Sequence, residues 1–206
     1  MVFVHGRAST RHSPRDRFVA RILRRSGFAT LLFDLLTPEE EAFHEVPRRT
    51  RFDVDAIAPR IVGATRWLDD LPHTRHLRLA LFGVNTGAAA ALLATAALRG
   101  RVGAVVTRGG GPDLVAPATL EDVWTPVLLM IGHRDSEFLE PHREAIQHLK
   151  NARLEIVPGA THFFQEPGAL RAVARLTNDW FEQHLCRPDP GLHERGNDLV
   201  LGPSTS

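Results

Sequence analysis

What this chain lacks narrows its reading first. One of its 206 residues is cysteine, Cys186. A single thiol forms no intrachain disulfide and no thiolate metal cluster, which fits a reducing, cytoplasmic setting. Charge bias is also missing. Lys and Arg number 25 against 24 Asp and Glu, a formal net charge of +1. Nothing global therefore points to nucleic acid or an anionic membrane as partner. The basic run Arg21-Ile22-Leu23-Arg24-Arg25 reads as the solvated face of a helix. No apolar run approaches the roughly 20 residues that span a bilayer. The start, "MVFVHGRAST", has neither the basic beginning nor the long apolar middle of a signal peptide. Strand-like residues follow Met1 directly, which raises the expectation that upstream sequence has been lost. No His-x-x-x-His pair with a supporting acid is present, so no metal site is expected and no cofactor is called for.

What is present is an alternation of short apolar runs and helical patterns. The hydrophobic fraction is 43%, enough for one domain with its own core. That domain is expected over residues 1–186, with 187–206, rich in Pro, Gly and polar groups, as a flexible tail. Strands are expected at 2–5, 28–36, 77–84, 102–110, 126–133 and 152–159. The run "FATLLFDLL" (28–36) is nearly all apolar, as in a strand covered on both faces. Ser13-Pro14 supplies an N-cap and a first-turn proline, and Gly27 a C-terminal stop. Further helices are expected near 53–71, 86–99, 139–150 and 166–185, with Pro59 tolerable only near its helix's first turn. Such alternation implies a mainly parallel α/β sheet with helices on both faces. Ligands then bind beyond the carboxyl ends of the strands.

The chemically suggestive residues fall at those ends. "LALFGVNTGAAAA" (79–91) is an apolar strand, a Gly-x-x-x-Gly turn and an Ala-rich helix. It has the frame of a nucleophile elbow, with Asn85 where a serine or cysteine is held on a strained turn. Asp135 lies in "GHRDSE" and His162 in "PGATHFF", each after a later strand. Elbow residue, acid, histidine is the chain order of an α/β-hydrolase triad. In that chemistry the histidine takes the nucleophile's proton, the acid fixes the histidine tautomer, and two backbone N–H groups receive the oxyanion. Those donors would be the amides of Thr86 and of Arg7, after His5-Gly6. Taken singly, each residue has a plainer reading. His162 is one of eleven histidines, Asp135 could cap a helix, and Gly83 and Gly87 could allow close strand–helix packing. Their conjunction in order favours the site.

The segments "HGRASTRHSPRD" (5–16), "TLLFDLLTPEEE" (30–41), "RFDVDAIAPRIVGATRWL" (51–68), "FGVNTGAAAAL" (82–92), "VVTRGGGPDL" (105–114) and "PGATHFFQEPGAL" (158–170) resemble the dienelactone hydrolase-related α/β-hydrolases. The likeness runs over about residues 2–185, closest to a bacterial subgroup some of whose members are fused to a phosphoribosyltransferase domain. It implies an α/β-hydrolase fold with six strands in the order 2-1-3-4-5-6 and esterase-type activity. Two departures stand out. Relatives usually carry Gly-Ala-Ser-Thr-Gly at the elbow, so Asn85 takes the serine's place. They also usually begin with two further strands, absent here, which would leave the strand at 28–36 on an open edge, a surface for homodimer formation.

Three functions fit these residues. The chain is a carboxylic ester hydrolase impaired or inactivated by Asn85, because a carboxamide cannot be activated as an alkoxide can; Thr86 is a weak substitute whose side chain should point away from His162. Or it is a non-catalytic binding protein, with Asn85 hydrogen-bonded to His162 and the oxyanion donors open to an ester or carboxylate ligand. Or it is a chemical variant, in which His162 activates water directly or Asn85 deamidates to an aspartate nucleophile, although Asn-Thr is not an especially labile pair. His5 and Arg108 are candidate substrate-binding groups, and Arg7 and Arg108 facing the pocket would favour an acidic substrate. Arg108 could equally pair with Asp113 or another nearby carboxylate.

Overall fold

The computed structural model describes residues 1–6, 9–37, 39–40 and 51–186, with the side chains of 51–53 excepted. Six strands form one parallel sheet: β1 (Val2–Val4), β2 (Leu31–Leu32), β3 (Leu79–Asn85), β4 (Val102–Gly110), β5 (Val127–Gly132) and β6 (Ala152–Val157). Their order across the sheet is β2-β1-β3-β4-β5-β6, and every neighbouring pair is parallel. The central strands are apolar on both faces because helices cover both. Leu81, Val105 and Leu129 point into one core with α2 (Arg51–Asp70), α3 (Thr86–Ala97) and α5 (Leu139–His148). Phe82, Val106 and Met130 point into the other with α1 (Pro14–Arg25) and α6 (Ala169–Leu185). A short helix, α4 (Pro117–Glu121), and two 3-10 turns at Pro112–Leu114 and Ser136–Phe138 were not expected from the periodicity.

Local chemistry sets the helix ends. The Ser13 hydroxyl accepts from Asp16 N, Pro14 occupies the first turn, and Gly27 has φ +89°, a conformation that suits glycine after a helix. The three arginines of the basic run, Arg21, Arg24 and Arg25, are exposed. Pro59 corrects the expectation for its helix. α2 begins at Arg51, so the proline stands well inside it. Pro59 and Asp55, four residues earlier, are both exposed, so water can serve the carbonyl that the proline leaves unpaired.

The second strand is also corrected. Only Leu31–Leu32 of the expected 28–36 pair with a neighbour, opposite Val2 and Phe3 of β1. The partner offers a three-residue strand, which limits the ladder. The run is covered on both faces as expected: Leu31 and Phe33 pack on one core, Phe28 and Leu32 on the other. Among the described residues no strand pairs with the outer edge of β2, and no helix is long and apolar enough to cross a membrane.

Candidate active site

β1, β3, β5 and β6 end on the same side of the sheet, and the loops that follow carry His5-Gly6, Asn85, Asp135 and His162. Asn85 closes β3 and α3 starts at the next residue. The turn is so tight that Asn85 adopts φ 52° and ψ −125°, a conformation that a side chain other than glycine's rarely takes. Packing imposes it. A Cβ on Gly87 would lie 2.2 Å from the Val4 carbonyl, and one on Gly83 would lie 2.6 Å from Ala88 Cα. The helix start is thus pressed onto β1 and β3, and only glycine fits at either contact. Gly6 closes the other side, where a Cβ would sit 2.9 Å from Asn85 Cβ and 3.2 Å from Thr86 N. The plain and the functional readings of the elbow glycines therefore coincide: the close packing is what forms the strained turn.

The acid and the histidine meet as the sequence order implies. His162 Nδ1–H donates to Asp135 Oδ2 over 2.7 Å, and the acid is buried while the imidazole is part exposed. That bond fixes the proton on Nδ1 and leaves Nε2 as the basic nitrogen. Asp135 makes no capping bond to the following turn with its side chain, so its carboxylate serves the histidine. A Cβ on Gly109 would lie 3.5 Å from both Asn85 Oδ1 and His162 Cε1, so carboxamide and imidazole flank one backbone position. Among the described residues no hydrogen bond joins Asn85 to His162, contrary to the expectation for a binding protein, and the carboxamide does not cap α3. Thr86 opens α3, where a backbone N–H has no intrahelical acceptor. Arg7, the other expected oxyanion donor, lies outside the described residues, as does the expected tail at 187–206.

Two expected substrate contacts are otherwise engaged. His5 is buried, with Nε2 3.0 Å from the Phe33 carbonyl and Nδ1 3.2 Å from that of Gly6. It ties the end of β1 to the segment after β2. Arg108 is buried and pairs with Asp16 of α1, Nη2 to Oδ1 at 3.1 Å, rather than with Asp113. Its burial pushes the guanidinium below its ordinary value, and Asp16 opposes that shift. The Nη1 group is buried with no partner among the described residues.

The sequence reading missed the supports of the histidine loop. Glu166 accepts a hydrogen bond from Thr161 N over 3.1 Å, and hydrogen bonding with the Thr161 side chain first, then with the backbone of Glu166 and Thr161, holds its carboxyl below the usual range. The Phe138 and Phe163 rings each lie 5.1 Å from the imidazole, the second edge-on. His142 of α5 is fully buried and bonds the Phe138 carbonyl through Nδ1 at 2.7 Å. Burial lowers its pKa from the ordinary 6.5. Its i, i+4 relation to Phe138 was the one available signal.

Comparison with known proteins agrees with this fold. A crystal structure of a dienelactone hydrolase from Anabaena variabilis is 48% identical, covers 89% of this chain and 85% of its own, and superposes with a TM-score of 0.84. A Mycobacterium tuberculosis protein named provisionally as a phosphoribosyl transferase is 50% identical over 191 residues, 92% of this chain. The chain spans only 42% of the length of that relative. Est1E from Butyrivibrio proteoclasticus, solved with ferulic acid bound, is 17% identical with a TM-score of 0.75 and shares the fold. Residues 15–185 match the dienelactone hydrolase family, and with the elbow, the acid and the histidine at the ends of an α/β-hydrolase sheet, it is to this family that the chain belongs.

Proposed function

We propose that this is an ester-hydrolase site that keeps its frame and lacks its nucleophile. In this reading Asn85 stands at the nucleophile position, Asp135 orients His162, and the amides of Thr86 and Arg7 are the oxyanion donors. The reading is carried by one observation: Asn85 holds the strained elbow turn while His162, proton fixed on Nδ1 by Asp135, flanks the same backbone position. A carboxamide has no hydroxyl proton for Nε2 to take, so no alkoxide forms and no acyl-enzyme follows. The substrate class is small carboxylic esters. The Anabaena relative, a dienelactone hydrolase, supports it, as does a Bradyrhizobium protein 29% identical over 192 residues, provisionally a 2-oxo-3-(5-oxofuran-2-ylidene)propanoate lactonase.

The test is hydrolysis of nitrophenyl acetate. The chain as it stands should act weakly, through binding and oxyanion stabilisation alone. Asn85→Ser should raise the rate by at least about 10²-fold, a modest share of the roughly 10⁶ lost when such a nucleophile is removed from a working triad. Strong hydrolysis by the unaltered chain that survives His162→Ala would overturn the reading. We extend the proposal to a second copy of the chain across the outer edge of β2, with which no strand pairs among the described residues, since a strand edge of that kind favours pairing. Sedimentation should show a dimer, and a monomer at high concentration would exclude it.

A further inference from the structure

The same strained turn bears on the chemistry of Asn85 itself. In an L residue Cβ is rotated by roughly 120° from the backbone nitrogen about the Cα–C bond, so ψ near −120° eclipses Cβ with the next residue's nitrogen. That eclipsed arrangement is costly and rare in ordinary backbone. It is also the arrangement of a five-membered ring closed between an asparagine side chain and the following amide. Asn85 sits at ψ −125°.

We propose that Asn85 is a self-modification site, at which the Thr86 nitrogen closes on Asn85 Cγ to give a succinimide. The balance is simple. The new bond joins Thr86 N to Cγ, the bond from Cγ to the side-chain nitrogen breaks, and the amide proton of Thr86 leaves with that nitrogen as ammonia. Water then opens the ring at either carbonyl, yielding aspartate or isoaspartate at position 85.

Three further features support ring closure. Asn85 makes no side-chain hydrogen bond to the helix it precedes, so nothing there holds Cγ away from Thr86 N. The first amide of a helix has no intrahelical acceptor, so its attack breaks no helix bond. Gly6 lies close against both reacting groups, where a Cβ would press on Asn85 Cβ at 2.9 Å and Thr86 N at 3.2 Å, so no side chain from that residue obstructs them. The β-branched Thr86 opposes attack in a free peptide, which is why the pair reads as sluggish from sequence. In the fold, the backbone part of the conformational search that limits a peptide has already been made, with ψ at −125°.

The sign of the folding effect makes the test. The chain is held at about 37 °C in mildly alkaline buffer, folded and in urea, and peptides are mapped by mass spectrometry over time. Ammonia loss at Asn85 should run at least about tenfold faster in the folded chain than in the unfolded one, as expected for a prearranged near-attack geometry. It should also outpace Asn151 and Asn178 in the same sample. The imide and a mixture of aspartate and isoaspartate should appear. Slower or equal conversion in the folded chain would overturn the proposal, and so would aspartate alone with neither imide nor isoaspartate. The outcome is independent of esterase activity, so the Proposed function can fail while this stands, or the reverse.

Discussion

The two halves of the site are held in different ways. The elbow half is held by backbone contact: Gly83 and Gly87 press α3 onto β3 and β1, and Gly6 lies against the turn. The histidine half is held by hydrogen bonds, from His162 to Asp135, from Thr161 to Glu166 and from His142 to Phe138. The difference teaches why the residue at position 85 can change without loss of the turn. Nothing in the elbow's geometry is made by the side chain of Asn85. The imidazole, by contrast, depends on partners whose side chains must stay.

Breaking the support beneath the elbow half should have the largest effect. Arg108 precedes Gly109 and Gly110, and a Cβ on Gly110 would lie 2.6 Å from the Asn85 carbonyl. Asp16→Ala leaves the buried Arg108 guanidinium without its partner and should destabilise the fold by about 3–5 kcal/mol, measured by denaturant unfolding. The double change Asp16→Leu with Arg108→Met sharpens the point, because replacing both members of a buried pair by apolar groups is often close to neutral. A loss from Asp16→Ala below about 1 kcal/mol, the scale of an exposed pair, would mean that the Asp16–Arg108 contact is not buried in solution.

On the histidine half the effect is smaller and depends on pH. Burial holds His142 neutral, opposed by its bond to the Phe138 carbonyl and by the carboxylates of Asp135 and Asp113, while His162 adds to the lowering. A lowered folded-state pKa means that the unfolded chain binds more protons. The stability is therefore fully present above about 6.5, the ordinary value, and declines as pH falls toward the lowered one. His142→Gln removes this proton uptake. Melting between about pH 7 and about pH 5 should then show a shallower acid loss than in the unaltered chain. Equal slopes would remove His142 from the account.

Much of this was legible in the sequence, for physical reasons. The strand order was implied by the family resemblance, since alternation alone allows other orders; the placing of Asn85, Asp135 and His162 at strand ends follows from apolar runs long enough to mark strands and from turns that demand glycine. The pairing of Asp16 with Arg108, 92 positions apart, was not legible, because a charge at helix start and a charge in a strand give no periodic signal of each other. Nor was the shortness of β2. The nearly all-apolar run "FATLLFDLL" marks its side chains as covered on both faces and says nothing of how many residues β1 offers for pairing. Pro59 misled because the rule for proline concerns hydrogen bonds, and the exposed face of a helix can replace that bond with water. His5 and Arg108 were read as candidate substrate contacts, but their hydrogen bonds go to Phe33 and Asp16 and could not be read before the fold was known.

The central claim is that the frame of a working triad persists around Asn85. It is tested most directly by a fluorophosphonate probe on the Asn85→Ser chain. The probe reports an activated hydroxyl without requiring knowledge of the substrate. The account predicts stoichiometric labelling at residue 85, lost when His162 is replaced by alanine, and no labelling of the unaltered chain. A folded Asn85→Ser chain, with its near-ultraviolet circular dichroism intact, that stays unlabelled at position 85 would contradict it.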